Sequence, residues 1–353
     1  MNQQKNIVIG MSGGVDSSVA ALLLKQEGHT ISGVTYTLFP HTDHNLQNDP
    51  NATDALAVAQ KLGISHRTHN LSALFDEQVV APFVHDYEQG RTPNPCYHCN
   101  SAIKFSLPVM DLLEAEGFAT GHYAKITYDQ GSGRYLLQQS PNKQKDQSYF
   151  LSKLTQAQLS RAHFPLANLS KDEVRAIAAD HALPTALRTD SQDICFVPDG
   201  DYISFLRKRT AKTYQAGEFQ TPAGTVLGKH KGIISYTVGQ RRGLDISSDG
   251  RLYVKEIRPE QNTVILSDNQ SLYSDTLIAH QLNFIATESL ETPTQCRAKI
   301  RSRHDGEPAT AQQIDTDTLQ VTFLKPQRAI TPGQVVVLYD GDTVIASGII
   351  ATA

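Results

Sequence analysis

Along the first two hundred residues the apolar positions alternate between two rhythms. Ile7-Val8-Ile9 is a β-branched run that reads as a buried strand, and the stretch after it carries Ala20, Ala21, Leu22 and Leu23 as an apolar helix. Ile31–Phe39 predicts a second strand, and Asp54–Leu62 predicts a helix with Ala55, Val58, Ala59 and Leu62 on one face. Phe75–Tyr87 keeps the helical period, with Pro82 expected to break or kink it. Ser101–Glu116 predicts a helix and Phe118–Thr120 a short strand. Ser170-Lys171-Asp172-Glu173 is a capping box for a helix carrying Val174, Ile177 and Ala178. Such alternation argues for an α/β domain with a parallel sheet covered on both faces.

From about residue 200 the pattern changes. Helical periodicity fades after Arg209, and short β-type runs take over at Gly232–Val238, Tyr253–Ile257, Thr263–Leu266, Leu319–Leu324, Val335–Tyr339 and Val344–Ile350. Asp340-Gly341-Asp342 between the last two reads as a hairpin turn. The chain therefore divides into residues 1–200, a small mostly-β linking domain at 201–275, and an antiparallel β-barrel at 276–353.

A chain of 353 residues has room for two or three domains with cores of their own. Its 39% hydrophobic and 19% charged residues are ordinary for a globular protein. The first apolar run is too short for a signal peptide and no stretch reaches membrane-spanning length. Four cysteines do not make a disulfide scaffold. The expectation is a cytoplasmic protein with reduced thiols and no membrane partner. A net charge of −4 argues against indiscriminate nucleic-acid binding. The charges are segregated, however: residues 1–100 hold five Lys/Arg against nine Asp/Glu, and residues 201–304 hold fifteen against ten. Basic clusters at Arg207–Arg209, Arg241-Arg242 and Arg297–Arg303 suit a polyanionic partner.

The chemistry begins at Gly10-Met11-Ser12-Gly13-Gly14-Val15-Asp16-Ser17, where the first strand runs through a Gly-Gly turn into a helix. Glycines let the backbone approach a ligand, and the helix N-terminus favours an anion. No G-x-x-x-x-G-K-[ST] string occurs, so this is not the common P-loop. The S-G-G-x-D-S string resembles the PP-loop of ATP pyrophosphatases, which implies ATP with Mg²⁺ and attack at the α-phosphate.

Cys96 and Cys99 lie in Gly90-Arg91-Thr92-Pro93-Asn94-Pro95-Cys96-Tyr97-His98-Cys99-Asn100, and Cys195 lies almost a hundred residues later in Asp190-Ser191-Gln192-Asp193-Ile194-Cys195-Phe196. Two prolines forbid helix before the thiols, and a helix start at Ser101–Phe105 is expected to lower a thiol pKa. Zinc ligation lacks a second C-x-x-C, and a redox pair would sit near an N-terminal βαβ unit. Inert thiols, sulfur chemistry and cluster ligation all stay open, with sulfur or cluster chemistry at Cys96, Cys99 and Cys195 leading. Cys296 reads as inert.

Seven segments occur in one order: the loop, G-R-T-P-N-P-x-x-x-C-N, Ala119–Tyr123, Lys145–Phe150, Asp193–Phe196, Tyr236–Leu244 and Thr331-Pro332-Gly333-Gln334. Together they resemble the bacterial tRNA-specific 2-thiouridylases over nearly the whole chain. The resemblance implies a PP-loop (adenine nucleotide alpha hydrolase-like) catalytic domain, a small central domain and a C-terminal β-barrel. It implies Cys99 as nucleophile, Cys195 as the persulfide carrier, and an ATP site at Gly10–Ser17 joined by Tyr36 and Gly121. Asn94, Pro95 and Cys96 match the target-base contact; His122, Lys145, Asp146, Gln147, Arg301, Ser302 and Gln334 match tRNA contacts. Many members have Asp at the position of Cys96 and Arg-Tyr at Arg301-Ser302. Three cysteines leave a further route open, a [4Fe–4S] cluster on Cys96, Cys99 and Cys195.

The implied reaction is ATP-dependent thiolation of the wobble uridine of tRNA at C2. Uridine O2 is a poor leaving group; an adenylated O2 departs with AMP, and sulfur takes its place. The implied partners are tRNA and a sulfur donor such as a cysteine desulfurase or a sulfur-relay protein. Another PP-loop ligase or amidotransferase would leave the thiols unused, and a non-catalytic RNA-binding protein would leave the ATP loop unused.

Overall fold

The computed structural model describes residues 5–39, 50–189, 194–197, 199–248 and 250–352. Asp190, Ser191, Gln192 and Asp193 of the motif before Cys195 lie outside them. In chain order the first part carries β1 (Asn6–Gly10), β2 (Thr30–Thr37), β3 (Ser65–Asn70), β4 (Gly117–Ala119), β5 (Ala124–Asp129), β6 (Arg134–Gln139) and β7 (Ala162–His163). Five of these form a parallel sheet in the order β3-β2-β1-β4-β7. Along β1, Val8 packs into one apolar cluster with Val34 and Phe118, while Ile7 and Ile9 pack on the other face against Val19, Ala20, Ala55 and Val58. This period-two division covers both faces, as the alternating sequence signals require.

One helical expectation is corrected. The predicted Ser101–Glu116 helix instead begins at Pro95, widens into a π turn over Asn100–Lys104, and restarts at Leu107–Leu112. Pro95 serves at its start, where a missing N–H costs nothing, and Pro108 forces the later restart. Phe75–Tyr87 is helical, but Pro82 sits at the start of a new segment, Ala81–Glu88, after a π turn at Asp76–Val80.

The central part pairs β8 (Gly217–Gln220), β9 (Val226–His230), β10 (Tyr253–Arg258) and β11 (Thr263–Ser267) in the order β10-β11-β8-β9. The β-type run expected at Gly232–Val238 is instead a 3₁₀ turn at Ile233–Ser235, because Gly232 turns the chain at φ 100°. The last part is a barrel of β12 (Tyr273–Phe284), β13 (Thr294–Lys299), β14 (Glu307–Asp315), β15 (Thr318–Arg328), β16 (Val335–Asp340) and β17 (Thr343–Thr352). Its order β12-β15-β14-β13-β16-β17 is closed by pairing of β17 with β12, which removes the free edges. β16 and β17 form the hairpin that Asp340-Gly341-Asp342 announced. The β5–β6 hairpin was not foreseen; it leaves the parallel sheet and joins the barrel, Gln138 pairing with Thr343 of β17. Among the described residues no helix is long and apolar enough to cross a membrane.

Candidate active site

In the order β3-β2-β1-β4-β7 the strand order reverses between the parallel neighbours β1 and β4, and a crevice at such a reversal is where open parallel sheets take ligands. Gly10 ends β1 there, and Val15 opens α1 (Val15–Gln26). Met11 N–H donates to Val34 O (2.8 Å), tying the loop to β2. Ser12 N–H donates to Ser17 Oγ (3.2 Å), which donates to Gly14 O (3.1 Å), so the turn over Gly13 is braced from inside. Gly14 is the N-cap and no side chain caps the helix, leaving first-turn N–H groups for an anion. Gly121, just after β4, lies against this turn: a Cβ there would come within 2.7 Å of Ser17 N.

Asp16 holds the loop from the far side. One carboxylate oxygen accepts from Tyr123 Oη and pairs with Lys171 Nζ, each at 2.7 Å. Lys171 opens the helix whose capping box, Ser170 with Glu173, forms as the sequence predicts. Lys171 thus brings to this loop the cation that a common P-loop carries within its own string. Tyr36 stacks on Phe118 (centroids 6.0 Å apart), and its buried hydroxyl has no partner among the described residues.

The thiols come together around the Pro95–Cys99 helix. Asn94 Oδ1 accepts from Tyr97 N–H (3.3 Å) and caps it. Cys99 is buried, whereas Cys96 and Cys195 reach solvent; all four cysteines, Cys296 among them, are free. Phe196 anchors its neighbour Cys195 by packing on Phe83 and Phe205 (5.0 and 5.3 Å). The three thiols are close enough for charge on one to disfavour charge on another: Cys99 senses Cys195 and Cys96, and Cys195 senses Cys96. The expected lowering of a thiol pKa does not occur. Burial pushes Cys99 up to about 12 despite the Lys104 ammonium, and desolvation raises Cys96 and Cys195 as well. The helix start that would favour a thiolate lies before Cys96, not after Cys99, and surrounding protein outweighs it.

Sequence reasoning missed Lys104. The π turn brings its ammonium within reach of all three thiols and of His122, the neighbour of Gly121. The ATP loop and the thiols therefore share one neighbourhood. Its only sequence signal is a lysine five residues beyond Cys99, a spacing that an ordinary helix turns away.

The residues matched to tRNA contacts divide in two. Lys145, Arg301 and Ser302 are exposed, the last two in the turn between β13 and β14. The others have polar groups engaged inside the chain. His122 is buried with Nδ1 2.7 Å from Thr120 Oγ1, and burial keeps it neutral. Asp146 accepts from Ser140 N, Ser148 N, Ser148 Oγ and Gln139 Nε2. Gln147 Oε1 accepts from Tyr123 N–H (2.9 Å), and Gln334 Nε2 donates to Thr92 O (2.9 Å). Part of the basic excess after residue 200 is neutralised locally, Arg209 by Asp76 and Lys212 by Glu88; Arg241 and Arg242 are exposed.

Burial also sets an acid limit on the fold. It pushes His163, in β7, down to about 4 from an ordinary 6.5, aided by Lys5 and His29. It does the same to His98, aided by Lys153. Between those values the unfolded chain binds the extra protons, so this stabilisation is complete above pH 6.5 and is lost as pH falls toward 4. Thermal melts followed by circular dichroism are expected to show Tm falling from pH 7 to pH 5, with a shallower fall in His163→Gln.

The sheet order and the loop at its reversal point define a PP-loop protein. Family models match three segments: a tRNA methyl transferase HUP domain over residues 5–199, a tRNA methyl transferase PRC-barrel domain over 203–268, and an aminomethyltransferase beta-barrel domain over 274–350. The tRNA-specific 2-thiouridylase MnmA 1 of Caldanaerobacter subterraneus subsp. tengcongensis is 46% identical, with 99% of each chain covered. The tRNA-specific 2-thiouridylase MnmA of Clostridioides difficile is 44% identical, again with 99% of each covered. The chain belongs to the tRNA-specific 2-thiouridylase family. A solved structure of the U34-tRNA thiolase NcsA from Methanococcus maripaludis, with its [4Fe-4S] cluster, is 18% identical over 59% of this chain and 68% of that one. Its TM-score of 0.35 is too low to bear on the thiols.

Proposed function

We propose that this protein replaces O2 of the wobble uridine of tRNA by sulfur, using ATP to activate the base. The observation that carries this reading is the shared neighbourhood of the Ser12–Ser17 loop and three free thiols, bridged by Gly121, His122 and Lys104. ATP brings Mg²⁺, which neutralises phosphate charge. Loop N–H groups hold the pyrophosphate end, and Lys171, beside Asp16, adds a cation. Uridine O2 attacks the α-phosphorus, pyrophosphate leaves, and N3 gives up its proton.

A donor such as a cysteine desulfurase or relay protein loads a persulfide on Cys195, whose exposure permits access. Its terminal sulfur attacks C2 and AMP leaves. Cys99 then attacks the inner sulfur of Cys195, forming a Cys99–Cys195 disulfide and releasing 2-thiouridine; an external reductant restores both thiols. The base lies in a single-stranded loop, so moving it into a pocket costs little.

A [4Fe–4S] cluster would be held by Cys96, Cys99 and Cys195, three free thiols in one neighbourhood. Among the described residues no three Cys, His, Asp or Glu side chains are grouped to hold a metal ion, and no step is routed through a cluster.

Nucleoside mass spectrometry tests the reading. Unmodified tRNA incubated with the protein, ATP, Mg²⁺ and a persulfide donor should gain 2-thiouridine at position 34. Amide formation, or binding with no change in the nucleosides, would replace this reading with a ligase or an RNA-binding protein.

A further inference from the structure

The thiol-bearing helix does not stand on its own domain alone. Five α-helical residues running on into a five-residue π turn, it is too short to be stable by itself, and the segment leading into it is gripped by the barrel. Thr92 N–H donates to Pro332 O (2.8 Å). Gln334 Nε2 donates to both Thr92 O (2.9 Å) and Pro93 O (3.4 Å), reaching across 242 and 241 residues of sequence. Gly333, at φ 89°, lies so close that a Cβ would meet Arg91 Cβ and Thr92 N at 2.9 Å. The turn holding these groups is fixed to β17, since Gly333 N–H donates to Ile350 O and Ile350 N–H donates to Gln334 O, each at 2.8 Å. One residue further, Tyr149 Oη donates to Val335 O (2.8 Å) and also meets the Asn94 side chain. Asn94 is the cap of the helix. The Pro332–Val335 segment thus reaches the carbonyls on either side of the Thr92–Pro93 bond, and through Tyr149 it reaches the cap itself.

We propose that Gln334 is a positioning residue: together with Gly333 it clasps Thr92-Pro93 and thereby sets the Pro95–Cys99 helix, so that the barrel fixes where Cys99 stands. This rests on the proposed thiolation, and it departs from the tRNA contact that the family resemblance implies for Gln334. The amide protons that would contact tRNA are spent on two carbonyls of the same chain. A phosphate oxygen, which can only accept from this amide, would have to displace one of them.

Gln334→Met keeps the length of the side chain and removes both donors. Gly333→Ala keeps Gln334 and forces the two segments apart, so either variant can test the clasp if the other fails to fold. Three measurements are made on each: the tRNA Kd by filter binding, the single-turnover thiolation rate at saturating tRNA and ATP, and the N-ethylmaleimide labelling rate of Cys99 by peptide mass spectrometry without tRNA. The Kd should stay within about twofold and the saturated rate should fall by about tenfold or more, since small displacements of reacting groups are costly. Cys99 should label about tenfold faster as the helix loses its hold. A weakened Kd with an unchanged saturated rate would make Gln334 a tRNA contact and overturn the proposal. So would unchanged labelling of Cys99 in both variants. If wild-type protein makes no 2-thiouridine, the proposed function fails instead, and the labelling still reads the clasp.

Discussion

Asp16→Ala is expected to lose AMP transfer to tRNA by about 10²–10³-fold, the order seen when one electrostatic contact to a transition state is removed. Its carboxylate is the anchor on which Lys171 and Tyr123 converge, both at 2.7 Å. Without it the Lys171 ammonium, 12% exposed, loses the carboxylate that fixes it beside the loop. The fold should survive, because β1 and α1 are held by the buried side chains Ile7, Ile9, Val19 and Ala20. Affinity for tRNA should remain within a few-fold, since the exposed Arg301, Arg241 and Arg242 lie in the later parts of the chain. Transfer of labelled AMP, measured beside a filter-binding curve, checks both. Normal adenylation by the variant would mean that the loop does not hold ATP.

Replacing the thiols should give opposite results at neighbouring positions. Cys99→Ser is expected to adenylate tRNA, accept sulfur on Cys195 and then stall, because the bond between Cys195 and the transferred sulfur is not resolved. A covalent protein–tRNA species, released by dithiothreitol, should accumulate on non-reducing gels. Cys96→Ala should thiolate within a few-fold of wild type, anaerobically and without added iron. The buried Cys99 thiol, pushed up to about 12, is scarcely ionised at neutral pH, so its step should accelerate as pH rises. Loss of all thiolation in Cys96→Ala, with iron in the wild-type protein, would replace the two-thiol route by a cluster on three cysteines.

The parts of this molecule that could be read from sequence are those built from local rules. Ile7–Ile9 leading into Gly-Gly-x-Asp-Ser specifies strand, turn and helix by residue type alone, and Ser170 with Glu173 announces its helix in the same way. The barrel hairpin follows from two apolar runs around Asp340-Gly341-Asp342. What stayed hidden depends on distant packing. The β5–β6 hairpin has a Gly131-Ser132-Gly133 turn that could have revealed it, but its strands mix polar and apolar residues because they meet the barrel on only part of their surface. The direction of the thiol shifts is set by burial, which spacing cannot supply. That Cys195 meets Cys96 and Cys99 came from the family resemblance, since ninety-six residues separate Cys99 from Cys195. The family resemblance gave Gln334 as a tRNA contact, and nothing local in the sequence shows that two carbonyls meet its amide.

The pairing of β6 with β17 has a consequence for how the protein is made. Gln138 and Thr343 are joined although 205 positions separate them. At ribosomal speeds of about 5–20 residues per second, the edge of β6 emerges roughly 10–40 s before the strand that covers it. Arg134 meanwhile waits for the carbonyls of Phe284 and Ile285. A ribosome paused near residue 200 would therefore present a finished nucleotide sheet beside an uncovered strand edge, open to pairing with another nascent chain. β17 acts as the closing stitch of β6 as well as of the barrel, so deleting this strand should damage solubility far from where it lies.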